Sequence, residues 1–532
     1  MIKKWKNWIG FTAACLLFSC SSDTSTSQTK KMITISTESE PQSFDPRQVR
    51  GLSEKTALNA LYEGLMCLND QGQVALGMAE SYATSEDGLR YLFKIRKSQW
   101  SDGQPVTAHD FAESWKSQLQ PDFPAPNSYQ LFIIKGAQEA KEGKLAVSQV
   151  AVQALDDHTL AIELCRPVPY FLELLATHFF FPLSLADREE KKEMAQKPIT
   201  NGPFTLTTGT SFSNEWNFSP NPYYWNRPAI KVDGIKLVKL DNMTALKLFQ
   251  QGELDWAGSP LSTLPNDALS DLRKKEMLQT QAASGVYFLR VNTAHPFLDH
   301  PKMRRALALA LNRADLVNAL LQEKEMVMHR YVPNQLLSKD FYQDNEGKAA
   351  QELFKEVLQQ SNLNGQTIKI GLCYANNPRS HQIAQVIEQQ WKEKLGVEVE
   401  LQSCEGKAYY DRLKNQAFEV SIGSWFADID DPISFLEVFK WKNNGTNNTQ
   451  WENASYIDLL ERSSLEPKQT RSLLLLQAEE ILMDEMPLIP LFQASYSYLK
   501  KPNLQGIFFS KLGYLDFKQA DYQEEPPLAK PS

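Results

Sequence analysis

The sequence predicts an α/β protein whose last third carries a mostly parallel sheet with crossover helices, preceded by smaller, mixed β units. Three observations carry this. From residue 366 onward, strand-like apolar runs and helical periods follow one another as β-α-β-α-β, the pattern of parallel strands joined by crossovers. Residues 33–180 instead show short segments of period two punctuated by turns, with one clear helix. Between these regions "PKMRRALALALNRADLVNALL" (301–321) reads as one strong amphipathic helix, apolar at 303, 307, 310 and 311.

The elements follow in order. "LRYLFKIRK" (89–97) alternates apolar and polar residues, as a half-buried strand does, and "SDGQP" (101–105) turns the chain. Thr107 then stands as a helix N-cap with Asp110 three residues on, and Phe111, Ser114 and Trp115 share one face of the helix it starts. "QALDDHTLAIEL" (153–164) is a hairpin around Asp156-Asp157. Strands are expected at 201–208, 216–226 and 233–240, and a helix from 242 that stops at Gly252 before a short buried segment. The last third gives strand 367–375, helix 379–395, strand 396–404, helix 409–418 and strand 419–425. In open α/β sheets ligands bind beyond the carboxyl ends of the strands. "SWFADIDDP" (424–432), with three carboxylates behind two aromatic rings, lies just past such an end.

Composition narrows the function classes. A net charge of −8 without a dense run of Lys or Arg argues against nucleic acid as a partner. Lys3, Lys4 and Lys6 followed by the apolar stretch 9–18 read as an export signal, too short to span a bilayer. Leu17-Phe18-Ser19-Cys20 resembles a bacterial lipobox, in which Cys20 would carry lipid and residues 1–19 would be removed; plain secretion is the other reading. Residues 20–31 are small and polar, as a flexible tether is. Cys67, Cys165, Cys373 and Cys404 would then occupy an oxidising compartment; Cys373 and Cys404 end consecutive strands, so either a bridge or buried free thiols fit. No cysteine pair has zinc spacing. The chain has no G-x-S-x-G, no H-E-x-x-H and only 7 histidines, which speaks against an enzyme, and no G-x-x-x-x-G-K-[ST], so any ATP hydrolysis belongs to a partner. No cofactor is called for.

One stretch adds a resemblance. "MAESYATSEDGLRYLFKIRKSQWSDGQPVTAHDFAESW" (78–115) resembles the signature block of the family-5 extracellular solute-binding proteins. The likeness continues in "NGPF" (201–204), "NPYYW" (221–225), "RRALALALNR" (304–313), "GSWFADIDDP" (423–432) and "MPLIPLF" (486–492), and so covers almost the whole chain in order. Within the family it is closest to oligopeptide-binding lipoproteins of ABC importers. The resemblance implies a two-lobed periplasmic-binding-protein clamshell with an extra small mixed β domain and two hinge crossings. Residues 32–62, 186–287 and 495–532 would form one lobe, 63–185 the small domain attached to it, and 288–494 the other lobe. It further implies a monomeric, lipid-anchored receptor in the periplasm or cell envelope that closes on a short peptide and hands it to an ABC permease with cytoplasmic ATPases.

The resemblance also assigns site residues. Asp428 matches the acid that pairs with a peptide's α-ammonium, and Trp425 the Trp before it; a carboxylate facing a water-poor cleft is costly unless it meets a cation. Ser424 and Phe426 would flank the ligand from one lobe, and Arg50, Gly51 and Leu52 from the other, with Tyr129 as a further contact. Read from the residues alone, Asp428 could instead cap a helix starting near Pro432, a role better suited to Asp430 or Asp431; D-x-D-D-P lacks the Gly and distant Glu of a calcium loop. The arginines that receive the ligand carboxylate in relatives are replaced by Leu413 and Ile422, and a second Trp by Gly406. The carboxylate would then reach Arg412, His381, Arg379 or Arg50, or the ligand would differ, cell-wall stem peptides being one candidate. Nickel, haem or oligosaccharide ligands, which the same family carries, and a surface lipoprotein without transport remain as alternatives.

Overall fold

The computed structural model describes residues 31–49, 51–185, 197–209, 213–321, 327–337, 347–361, 365–443 and 445–523; the export segment, Cys20 and Arg50 lie outside the described residues. Ten strands make one continuous sheet. In chain order they are β1 (Met32–Thr37), β2 (Phe204–Thr208), β3 (Glu215–Pro220), β4 (Gly234–Lys239), β5 (Trp256–Gly258), β6 (Gln279–Val291), β7 (Lys369–Ala375), β8 (Glu398–Cys404), β9 (Val420–Phe426) and β10 (Leu488–Lys500). They lie side by side as β8-β7-β9-β6-β10-β5-β1-β4-β3-β2.

The expectation of a mostly parallel sheet holds only locally. Strands β8, β7 and β9 are parallel, and so are β5, β1 and β4, but every other neighbouring pair is antiparallel. Parallel pairs need a crossover, and helices α2 (Pro378–Leu395) and α3 (Gly406–Lys414) supply it between β7, β8 and β9. The antiparallel centre comes from β6 and β10, 13 residues each, which pair with each other although nearly two hundred residues separate them. These two strands connect the halves of the sheet. Their ladder runs from Gln279–Ala282 against Ser495–Tyr498, slips, and resumes from Val286 against Gln493.

Each half has its own packed layer. Around β7 and β9, Ile370, Leu372 and Val420 are wholly buried; around β1 and β4, Ile33, Ile35, Ile235 and Leu237 play the same part. The 301–321 segment is two helices, Pro301–Leu309 and Arg313–Leu321, rather than one. The break follows from polar groups the apolar period ignores. The Asn312 side chain accepts from the Asp315 N–H at 3.1 Å and starts a new helix, while the fully buried Arg313 turns inward and its Nε donates to the Pro490 carbonyl at 2.7 Å.

A separate four-stranded antiparallel sheet, ordered Ala79–Thr84, Arg90–Ile95, Thr159–Glu163, Val152–Asp156, forms the small mixed unit. Its helix Ala108–Gln118 opens as expected, with the Asp110 carboxylate accepting from the Thr107 N–H at 2.8 Å. Phe111 and Trp115 pack inward, and Trp115 Nε1 donates to the Phe180 carbonyl at 3.0 Å. Cys67, Cys165, Cys373 and Cys404 are free thiols; the sulfurs of Cys373 and Cys404 lie 3.7 Å apart.

Candidate binding site

Strand β9 has one open edge. It pairs with β6 along its length, but with β7 only at Val420 and Ser421. Beyond that point no described strand lies on the β7 side. The direction of its backbone groups follows from two hydrogen bonds. Ile422 turns its carbonyl away from β6, where Tyr409 Oη donates to it at 2.5 Å; the Ala427 N–H turns the other way, to the Ser284 carbonyl at 2.8 Å. Alternation then puts the N–H and C=O groups of Ser424 and Phe426 on the open edge, the arrangement by which an extended chain can add as a strand.

The loop after β9 sorts its three acids. Asp431 is structural: it receives both Nη atoms of Arg471 at 2.8 and 2.7 Å and the Ile433 N–H at 2.8 Å. Asp430 accepts from Ser284 Oγ at 2.7 Å, at the slip in the β6–β10 ladder. Asp428 faces across the molecule. Its Oδ2 accepts from Gln130 Nε2 of the small unit at 3.0 Å, and its Oδ1 lies 3.6 Å from Lys55 Nζ on helix α1 (Leu52–Leu61). Both members of that ion pair are about four-fifths buried, with side chains 18% and 22% exposed. The Asp428 N–H is tied down by Ser434 Oγ at 3.1 Å, so the carboxylate is aimed rather than loose.

Two cavities meet at this carboxylate. One, of about 530 Å³, is bounded by Tyr129, Gln130, Arg166, Tyr170, Trp425 and Asp428. The other, of about 240 Å³, lies on the Lys55 side and is walled by Glu173, His178 and Asp430 as well. Tyr129 leaves half its surface in solvent, yet burial of its hydroxyl end and the neighbouring Asp428 charge push its pKa up to about 12. Trp425 Nε1 donates to the Ser434 carbonyl at 2.7 Å, which fixes the indole against the larger cavity. Among the described residues no group of three or more His, Cys, Asp or Glu could hold a metal ion, and no helix is long and apolar enough to cross a membrane.

The sequence-predicted residues divide accordingly. Asp428, Trp425 and Tyr129 converge on one cavity, and Ser424 and Phe426 line the open edge next to it. The Phe426 ring lies over Gly285, where any Cβ would sit 2.5 Å from it, and meets Tyr287 edge-on. Gly51 caps helix α1, with Leu52 as its first residue; a Cβ there would strike the Glu54 carboxylate at 2.1 Å. His381 and Arg412 are not brought to Asp428. His381 Nδ1 shares a hydrogen bond with Tyr374 Oη at 2.7 Å, and Arg412 Nη1 donates to Gln402 Oε1 at 2.8 Å. Leu413 and Ile422 are buried, Leu413 in a small cluster with Cys373, Cys404, Tyr409 and Phe418. Sequence reasoning missed Gln130 and Lys55. Gln130 adjoins Tyr129, and the apolar spacing Leu52, Leu58, Leu61 could have placed Lys55 on a helix.

Comparison with known proteins adds the following. A family profile described as "Bacterial extracellular solute-binding proteins, family 5 Middle" matches residues 73–447. The oligopeptide-binding protein OppA of Bacillus subtilis is 35% identical over 511 residues, covering 93% of this chain and 94% of that protein. The dipeptide-binding protein DppE of the same organism is 32% identical, covering 92% of each. Among solved structures, the Escherichia coli murein tripeptide-binding protein MppA superposes with a TM-score of 0.78 at 27% identity, over 93% of this chain and 99% of that one.

Proposed function

Because the chain belongs to family 5 of the bacterial extracellular solute-binding proteins, we propose that it captures short peptides between two closing lobes and delivers them to a membrane permease driven by separate ATPases. The fold is the family's two-lobed clamshell, and a protein of this family binds its solute rather than transforming it. Curated relatives named for oligopeptide and dipeptide binding align over nearly the full chain and support peptide as the solute class.

The observation that carries the reading is Asp428: an oriented, four-fifths-buried carboxylate at the end of a strand whose outer edge is open. A peptide added along Ser424 and Phe426 would satisfy their backbone groups with its own, and its α-ammonium would meet Asp428 beside Tyr129 and Gln130. Trp425, Gly51, Leu52 and Arg50 would frame the ligand's side chains. Affinity of this kind rests on groups every peptide shares, so selectivity for sequence is loose. We place the hinge at the slip in the β6–β10 ladder, with 32–62, 186–287 and 495–532 in one lobe, 288–494 in the other, and 63–185 attached to the first. Cys20 would hold the protein to the cell envelope through lipid, on the periplasmic or outer side of the membrane that carries the permease.

The acid end of the ligand separates two peptide classes. Buried Leu413 and Ile422 offer it no cation, so a modified peptide whose carboxylates are arranged differently, such as a cell-wall stem peptide, is the second reading. Calorimetric titration of unmodified di- to hexapeptides, of their N-acetylated forms and of murein stem tripeptide tests both. Free peptides are expected to bind, and acetylation or Asp428→Ala to cost roughly 2–5 kcal/mol. Binding that ignores both changes overturns the ammonium role of Asp428. Binding of stem peptide alone selects the second reading.

A further inference from the structure

Asp428 already has a cation. Lys55 Nζ stands 3.6 Å from Oδ1, while Gln130 holds Oδ2 on the opposite side. Lys55 belongs to helix α1 in the half of the sheet built on β1, and Asp428 follows β9 in the other half, so this ion pair spans the cleft. A ligand ammonium arriving at the same carboxylate meets a like charge four-fifths buried. Two ammonium groups on one carboxylate leave an uncompensated buried charge, which is costly. The resident lysine must leave.

The structure provides a place for it. Lys55 lines the cavity of about 240 Å³ that reaches Asp428 and is not bordered by Trp425, and Glu173 lines the same cavity. The Glu173 carboxyl is partly buried; it is held by its own backbone N–H, and Asp431, Arg471 and Lys468 are the charges it feels, while Lys55 is the cation that lines the same cavity. His178, buried against the ring of Phe179, also borders this cavity, and its Nε2 is sealed from solvent without a hydrogen-bond partner among the described residues. We propose that Lys55 occupies the ammonium's place in the empty protein, holds the two lobes together through Asp428, and swings toward Glu173 when a ligand amine takes Asp428. Lys55 is then a residue that sets specificity: it raises the requirement on the incoming group to a cation able to displace an ammonium, and it lowers affinity by the fraction of protein it keeps in the latched state.

This inference rests on Asp428 being the ligand's acid, and the test separates the two. Trialanine and N-acetyl-trialanine are titrated by calorimetry into the wild type, Lys55→Met, Glu173→Gln, the double variant and Asp428→Asn; small-angle scattering is recorded for each without ligand. Lys55→Met is expected to enlarge the radius of gyration of the ligand-free protein and to tighten trialanine binding about fivefold or more, the lower end of ordinary coupling between sites. Glu173→Gln is expected to weaken trialanine binding in the wild type and to change nothing in the Lys55→Met background. Unchanged scattering together with unchanged or weaker trialanine binding in Lys55→Met overturns the latch. An equal effect of Glu173→Gln in both backgrounds overturns Glu173 as the receiving group. If Asp428→Asn binds trialanine like the wild type, the ammonium role of Asp428 itself fails; if Asp428→Asn abolishes binding while Lys55→Met is inert, only the latch fails.

Discussion

Two ion pairs in this protein are built for opposite ends. Arg330 and Glu479 are both fully buried. Glu479 also accepts the N–H groups of Tyr331 and Val332 at 3.0 and 2.8 Å, and Arg330 Nη1 also donates to the Leu337 carbonyl at 2.8 Å. All of these partners lie in residues 330–337 and in Glu479 itself. Lys55 and Asp428 face each other at 3.6 Å from opposite halves of the large sheet, beside open cavities, and among the described residues Asp428 is further hydrogen-bonded by the side chains of Gln130 and Tyr129 alone. A saturated pair locks a core; an unsaturated one across a cleft can exchange partners. On the proposed function, saturation, more than burial, distinguishes a structural charge from a binding charge here.

The comparison breaks most visibly at the saturated pair. Glu479→Gln strands the Arg330 guanidinium in a sealed core, and removing one partner of such a pair costs roughly 3–5 kcal/mol. Urea unfolding should show that loss, with peptide affinity of the remaining folded protein unchanged. A loss below 1 kcal/mol would place Arg330–Glu479 in the same class as the cleft pair.

A smaller effect comes from His178, whose wall position makes the Lys55-side cavity part interior and part site. Burial, with a lesser contribution from the Lys55 charge, holds its imidazole well below the usual pKa. The other titratable groups around the cavity are Lys55, Glu173, Asp428, Asp430 and Tyr514. A depressed histidine pKa means that below about pH 6.5 the unfolded chain takes up a proton the folded chain refuses. Stability should therefore fall with acid, by up to about 1.4 kcal/mol per pH unit below 6.5 from this group. His178→Asn should flatten the slope by one proton's worth in urea unfolding at pH 5.5, 6.5 and 7.5. An unaltered slope would mean that His178 does not stay neutral.

How much of this could be read from residues alone varies with the range of the interactions. The strand 90–95, the Thr107–Asp110 cap and the β7-α2-β8-α3-β9 unit follow from local period and capping, and they stand where the pattern puts them except that α3 spans Gly406–Lys414 rather than 409–418. The break at Asn312 was hidden because its cause, the Pro490 carbonyl waiting for Arg313, lies 177 residues away. The antiparallel centre was hidden for the same reason: nothing local in Gln279–Val291 names Leu488–Lys500 as its partner. The place of Asp428 just past a strand end was legible, whereas its neighbours Gln130, 298 residues distant, and Lys55 become visible only in the folded chain.

The smallest expected effect is the most discriminating. Asp428→Asn removes the charge but keeps the shape, the Ser434 tether on the backbone N–H and an oxygen for Gln130. Lys55 loses its counter-ion, yet it borders a cavity that holds Glu173, so it need not remain an isolated buried charge. The cost to folding should accordingly stay within about 1 kcal/mol, the range of partly exposed pairs, even though the same change is expected to remove most peptide binding. Urea unfolding and calorimetry on one preparation measure both quantities. Should stability fall as far as it does in Glu479→Gln, Asp428 would be a structural acid like its neighbour Asp431, and the contrast between a charge that locks and a charge that exchanges would collapse.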